Sequence, residues 1–182
     1  MSALSAYQIR LIHSLGDFQQ TLSALTWIDE LEPDQKMTRV ELRRYRCLED
    51  AAVVAYWRPF SESKGLPKLS FKRLGIIPTE EEQDLHSALR TQRNKVVAHT
   101  DADRMRFGIH AWKPLEDRDI IMPHFIRDDS LAFYLRRTEW LEWTRKIHHQ
   151  IAEVVFQELQ SVGEISIVED YLRTAESKAT ST

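Results

Sequence analysis

Leu4, Leu11, Phe18 and Leu25 recur every seven residues, with Leu15 and Leu22 between them. An apolar stripe of that period marks one face of an α-helix. Residues 3 to 30 are therefore expected to form a long amphipathic helix whose stripe needs a partner. The Glu-Pro-Asp at 32 to 34 interrupts the pattern, and Val40, Cys47 and Val54 then resume the spacing together with Leu48, Ala51 and Ala55. A second long helix is expected to end near Pro59, because a proline disfavours helical backbone at the residue before it. Gly65, Pro67, Gly75 and Pro78 punctuate residues 61 to 78, which reads as an irregular connection carrying several positive charges.

Thr79 followed by Glu82 has the form of a capping box, so a third helix should start there, with Leu85, Leu89 and Val96 on its buried side, and run to about His99, where Thr100 and Asp101 break the pattern. Between 104 and 128 the helical period is lost. Met105, Phe107, Ile109 and Ala111 alternate with polar residues, and Ile121 and Phe125 do so less cleanly, which predicts a small two-stranded β-hairpin. Asp128 or Asp129 can cap a last long helix in which Phe133, Trp140, Ile147 and Val154 repeat by seven, the face being widened by Leu141, Ile151 and Val155. From Thr174 onward the chain offers almost nothing to bury and is expected to be a disordered tail. The fold class expected is mainly α: one domain over residues 1 to 173, with four long helices in a bundle and a small hairpin between the third and the fourth.

Composition narrows this picture. A chain of 182 residues can bury a core without disulfides or a structural metal. Cys47 is the only cysteine, which rules out an intramolecular disulfide and a cysteine-based zinc set and suggests core packing. No apolar run approaches the roughly 20 residues that span a bilayer, and the first residues lack a signal-peptide pattern, so a cytoplasmic protein without membrane contact is expected. The net charge of -3 offers no general attraction for nucleic acid. Local charge differs: Arg39, Arg43, Arg44 and Arg46 form one cluster, Lys64, Lys68, Lys72 and Arg73 a second, and Arg90, Arg93, Lys95, Arg104 and Arg106 a third. If they converge they make a basic groove; otherwise they are solvated helix faces.

The segment LRTQRNKVVAHTD, Leu89 to Asp101, holds Arg93, Asn94 and His99, with five residues between the arginine and the histidine. With its polar second residue and its place late in a third helix, this motif resembles the signature of the HEPN superfamily. The AYWRPF segment, Ala55 to Phe60, and Asp101 after the histidine are similar to features of bacterial abortive-infection and toxin-like members. The similarity of helix order covers residues 1 to 160, whereas the residue-level match is confined to the two short segments.

The resemblance implies a metal-independent endoribonuclease without cofactor, acting as a homodimer on RNA, in bacterial defence or paired with an antitoxin. Attack by the ribose 2'-hydroxyl on the neighbouring phosphate needs no protein nucleophile. It needs a group that exchanges protons near neutrality, which suits an imidazole, and a fixed cation for the developing charge, which suits a guanidinium. His99 and Arg93 are thus the catalytic candidates. Asn94 is a third, orienting the histidine or bonding a phosphate oxygen. Arg58, Tyr56 and Asp101 are supporting candidates, although Arg58-Pro59-Phe60 serves equally well as a helix terminator. The competing implication is a noncatalytic HEPN dimer that binds nucleotide or RNA or supports assembly of a partner protein.

Six residues of ideal helix turn through roughly 600°, leaving Arg93 and His99 about 120° apart around the axis. Either the helix distorts before His99 or a second chain completes the site. His148 and His149 point to different sides of one helix and do not form an i, i+4 metal pair; His110 and His124 lack a third ligand, so no metal site is expected. The tryptophans at 27, 57, 112, 140 and 143 fall mostly at apolar helical positions, which favours core or dimer-interface roles over base stacking.

Overall fold

The computed structural model describes residues 4–32, 35–94, 106–115, 118–126 and 131–160, the two strands by their backbone alone except at Ile121. The protein is mainly helical: α1 spans Ala6–Asp29, α2 Arg39–Trp57, α3 Phe71–Leu74, α4 Glu80–Gln92 and α5 Arg137–Gln160. Short 3-10 turns follow α2 at Arg58–Phe60 and precede α5 at Tyr134–Arg136. The backbone of β1, Arg106–Leu115, pairs antiparallel with β2, Arg118–Ile126, in a register that sets Phe107 opposite Phe125 and Ala111 opposite Ile121.

Three helices begin with the same device. Ser5, Thr38 and Thr79 each accept a hydrogen bond from the amide three residues on, while Gln8, Glu41 and Glu82 reach back to the cap residue's own amide. Such reciprocal capping satisfies orphan donors that a helix start leaves open. It places the start of α4 where the Thr79 and Glu82 pair predicts.

α1 packs against both α2 and α5. Leu11, Phe18, Leu25 and Ile28 of α1, Leu85 and Leu89 of α4, and Trp140, Trp143, Ile147 and Ile151 of α5 form the centre of the core, as the apolar period of those three helices predicts. α2 departs from its expected face. Val40 and Cys47 are exposed, whereas Glu49, Ala52, Val53 and Tyr56 are buried. The buried row lies two residues beyond the seven-residue repeat and follows the i, i+3, i+4 spacing through the second half of the helix, the half that meets α1. Cys47 is consequently a surface residue rather than a core one.

The connection from 61 to 78 is more ordered than its glycines and prolines suggest. The Leu66 amide donates to the Ser63 carbonyl at 3.2 Å, closing a tight turn through Gly65, whose φ of 81° a side chain would disfavour. Farther on, the connection includes α3, which ends at Gly75 in the left-handed conformation with Ile76 donating to the Phe71 carbonyl at 3.0 Å.

The last helix also starts differently. Asp128 and Asp129, expected to cap it, lie outside the described residues, and α5 begins at Arg137 after a turn. That turn is held from below by Glu49. Its carboxylate, 1% exposed, accepts from the amides of Ala132 at 2.9 Å and Phe133 at 2.7 Å. Burial raises the Glu49 pKa more than the two amides and Arg46 lower it. The expected tail from 174 lies outside the described residues, as do residues 95–105, including Val96 and the end expected for the third helix. Among the described residues no helix is long and apolar enough to cross a membrane.

Candidate functional site

α4 ends by widening. Regular helix stops at Gln92, and Arg93 and Asn94 continue in a wider π-type turn. Two ion pairs tie the other end of the helix to the α5 region: Lys146 meets Glu82 at 2.8 Å, and Arg136 meets Asp84 at 2.7 Å. Gln92 is buried. The helix that carries Arg93 is thereby tied to the α5 region, and the Arg93 guanidinium donates from Nη1 to Asn94 Oδ1 at 3.0 Å. Asn94 thus orients the arginine. His99 and Asp101 lie outside the described residues, as does Lys95.

Arg93 opens onto a cleft of about 410 Å³. Arg10, His13 and Asp17 contribute one wall from α1; Val54 of α2 and Arg58 of the following turn contribute a second. Ser61, Glu62, Ser63 and Leu66 of the following segment supply the rest. The volume falls in the range of roughly 300–1,000 Å³ usual for small-ligand sites.

The charges in this cleft are unevenly satisfied. Arg58 donates from Nη1 to Asp17 Oδ1 at 3.1 Å and to Gln20 Oε1 at 3.0 Å. Glu62 pairs with Lys68 at 2.8 Å. Both carboxylates that line the cleft are therefore engaged. Arg10 is only 3% exposed; its Nε donates to the Pro67 carbonyl at 2.8 Å, while Nη2 is buried with no hydrogen-bond partner among the described residues. Among the described residues neither Arg10 nor Arg93 pairs with a carboxylate. Three guanidiniums thus surround a space whose two carboxylates already have partners, an arrangement that attracts an anion.

Tyr56 is placed elsewhere. It is fully buried and does not line the cleft. The Trp143 indole donates from Nε1 to the Tyr56 hydroxyl at 2.7 Å, and that hydroxyl lies 2.8 Å from His86 Nδ1. The direction of that bond follows the imidazole tautomer: with the ring proton on Nε2, the phenol gives its hydrogen to Nδ1. Trp57, Phe60 and Phe71 surround His86 with ring centroids at 4.6, 4.8 and 4.9 Å. Burial first, and the Arg90 charge second, push the His86 pKa down to about 4, so the ring is neutral at pH 7. Tyr56 links α2, α4 and α5 because it continues the buried Glu49, Ala52 and Val53 row of α2, while Arg58, two residues on, turns outward.

The motif reading missed the α1 wall. A signal was present in the row Arg10, Ser14, Asp17, Thr21, whose spacing of four, three and four residues runs beside the apolar stripe. Arg10, Ser14 and Thr21 are buried. The two hydroxyls are satisfied within the helix, Ser14 donating to the Arg10 carbonyl at 2.7 Å and Thr21 to the Asp17 carbonyl at 3.0 Å. The arginine has no such local outlet.

Of the basic clusters, Arg46 is engaged by Glu49 and by Asp50 at 3.2 Å, Arg73 stacks over Tyr7 at 5.2 Å, and Arg39, Arg43 and Arg44 are exposed on α2. Trp57, Trp140 and Trp143 are core residues, Trp27 is 56% exposed, and the Trp112 side chain lies outside the described residues. No protein-family model, curated protein or solved structure matches this chain, so the cleft has to be judged by its own chemistry.

Proposed function

We propose that this chain is a metal-independent endoribonuclease of the HEPN type, a four-helix bundle with β1 and β2 as an inserted hairpin, acting in the cytoplasm as a homodimer. The observation that carries the reading is that Arg93, the arginine of the motif, opens onto the same cleft as Arg58 and the buried Arg10. In the proposed reaction the ribose 2'-oxygen bonds to the adjacent phosphorus as its proton leaves to a base. The bond from phosphorus to the 5'-oxygen breaks, and that oxygen takes up a proton, leaving a 2',3'-cyclic phosphate. Arg93, held by Asn94, faces the developing phosphorane charge; His99 exchanges the proton. Asp101 stands beside the histidine in sequence, and Arg58 supports the phosphate. The wider turn at Arg93 and Asn94 supports the idea that the helix does not carry both motif residues at ideal spacing, and a twofold partner completes the site. Cleavage of RNA fits a role in bacterial defence or toxin control, with an antitoxin or other defence protein as partner.

A guanidinium-rich cleft also serves the second reading, a noncatalytic dimer that binds nucleotide or RNA or supports assembly of another protein. Incubation of labelled RNA with purified protein in EDTA separates the two. Cleavage to cyclic phosphate ends that is lost in His99→Ala and Arg93→Ala, with dimer and helical content unchanged, supports the nuclease. Binding without cleavage supports the second reading. Full activity in both variants overturns the assignment of the motif.

A further inference from the structure

We propose that Arg10 of α1 forms a phosphate-binding subsite on the wall of the cleft opposite in sequence to the motif, gripping an oxyanion of a phosphate group through its unpartnered guanidinium edge. The argument starts from cost. A buried guanidinium with an unfilled donor is unfavourable unless an anion or acceptor completes it. Here Nε is fixed on the Pro67 carbonyl at 2.8 Å, which sets the plane of the group, and Nη2 is left without a partner. The residue is 3% exposed and lines the cleft.

Among the described residues no carboxylate supplies the missing acceptor. Asp17 lies on the same helix and is held by Arg58; Glu62 lies on the loop and is held by Lys68. A planar fork already locked at one nitrogen suits the oxygens of a phosphate better than it suits a spherical anion. Arg10 and Arg93 come from different helices and border the same space, so a nucleotide strand whose phosphate lies at Arg93 has a second cation within the cleft for a neighbouring phosphate. That last clause rests on the nuclease reading; the oxyanion subsite itself does not. The same chemistry is shared by a phosphodiester in a strand and by a free phosphate group.

The test observes the arginine directly in the full wild-type chain. Side-chain NMR of 15N-labelled protein follows the Nε resonance of Arg10, assigned through its backbone, as inorganic phosphate or a single-stranded 2'-O-methyl hexanucleotide, which is not cleavable, is added. Saturable displacement of the Arg10 resonance supports the subsite. If the hexanucleotide saturates it at concentrations at least about tenfold below those of phosphate, the ligand is a strand; equal concentrations identify a free phosphate group. Arg10→Lys, which keeps the charge and loses the fork, is expected to weaken hexanucleotide binding about tenfold. An Arg10 resonance that stays fixed with both probes overturns the proposal, also where Arg58 or Arg93 responds. Absence of RNA cleavage alongside a responding Arg10 fails the nuclease reading alone, and cleavage with an unresponsive Arg10 fails this one alone.

Discussion

The aromatic centre of the protein and its cleft both hold polar groups away from water, and they treat them in opposite ways. In the centre, the Trp143 indole donates to the Tyr56 hydroxyl, which is also linked to His86, so these three polar groups are joined within the chain, although the Trp140 indole beside them has no partner among the described residues. In the cleft, among the described residues, Arg10 keeps one nitrogen without a partner and Arg93 has only an amide oxygen. Polar groups completed from within hold a fold together; those left incomplete await something from outside. That contrast separates Tyr56 from Arg58, two residues apart in sequence, more sharply than the shared segment Ala55 to Phe60 suggests.

Breaking the cleft should have the largest effect and leave the fold alone. Arg93→Ala is expected to lower RNA cleavage at least about 100-fold, equivalent to roughly 3 kcal/mol of barrier, with an unchanged melting curve; the comparison is made by single-turnover cleavage in EDTA beside thermal unfolding. Breaking the interior should do the reverse. Glu49→Ala strands the buried Phe133 amide and the half-buried Ala132 amide and is expected to cost about 2–4 kcal/mol, read by urea unfolding, with hexanucleotide affinity preserved wherever the variant remains folded.

Acid should act on the centre selectively. His86 has a folded pKa near 4, below its ordinary value of 6.5, so the folded state binds fewer protons than the unfolded one. Its stabilising contribution is complete above pH 6.5 and declines as pH falls toward 4, a loss of about 1–2 kcal/mol at pH 5. Glu49, whose pKa is raised, works against this trend, because its folded form holds a proton more readily. Unfolding of the wild type and of His86→Leu across pH 5 to 7 isolates the histidine: the slope attributed to it should vanish in the variant, and an equal slope in both removes His86 from the account. Tyr56→Phe, which keeps the ring and deletes the link, should cost about 1–2 kcal/mol. The smallest change should come at the exposed pair between α4 and α5, where Lys146→Met is expected to alter stability by less than about 1 kcal/mol.

Helices and caps were legible because they depend on local chemistry. The period of Leu11, Phe18 and Leu25, the period of Trp140 and Ile147, and the Thr79 to Glu82 box each act within one or two turns, and each stands where the sequence places it. The face of α2 was misread for a physical reason: a helix that is buried along only half its length need not show the apolar stripe of a fully packed one, and its buried row includes Glu49, whose acceptors are needed by residues more than eighty positions away. The short helix Phe71–Leu74 escaped notice because four residues are too few to display a period.

The candidate site divides along the same line. Sequence by itself determined the long helices, the capped start of α4 and the motif arginine, since these follow from backbone hydrogen bonding and from residues close along the chain. Only the tertiary structure decided that Arg10 and Arg58 join Arg93 while Tyr56 turns inward, because the loop from Ser61 to Ser70 folds back on α1, and the Pro67 carbonyl captures Arg10 from 57 positions away. No local pattern encodes that meeting. It arises when helix packing brings distant donors and acceptors together and leaves one guanidinium with more hydrogen-bonding capacity than the described residues supply.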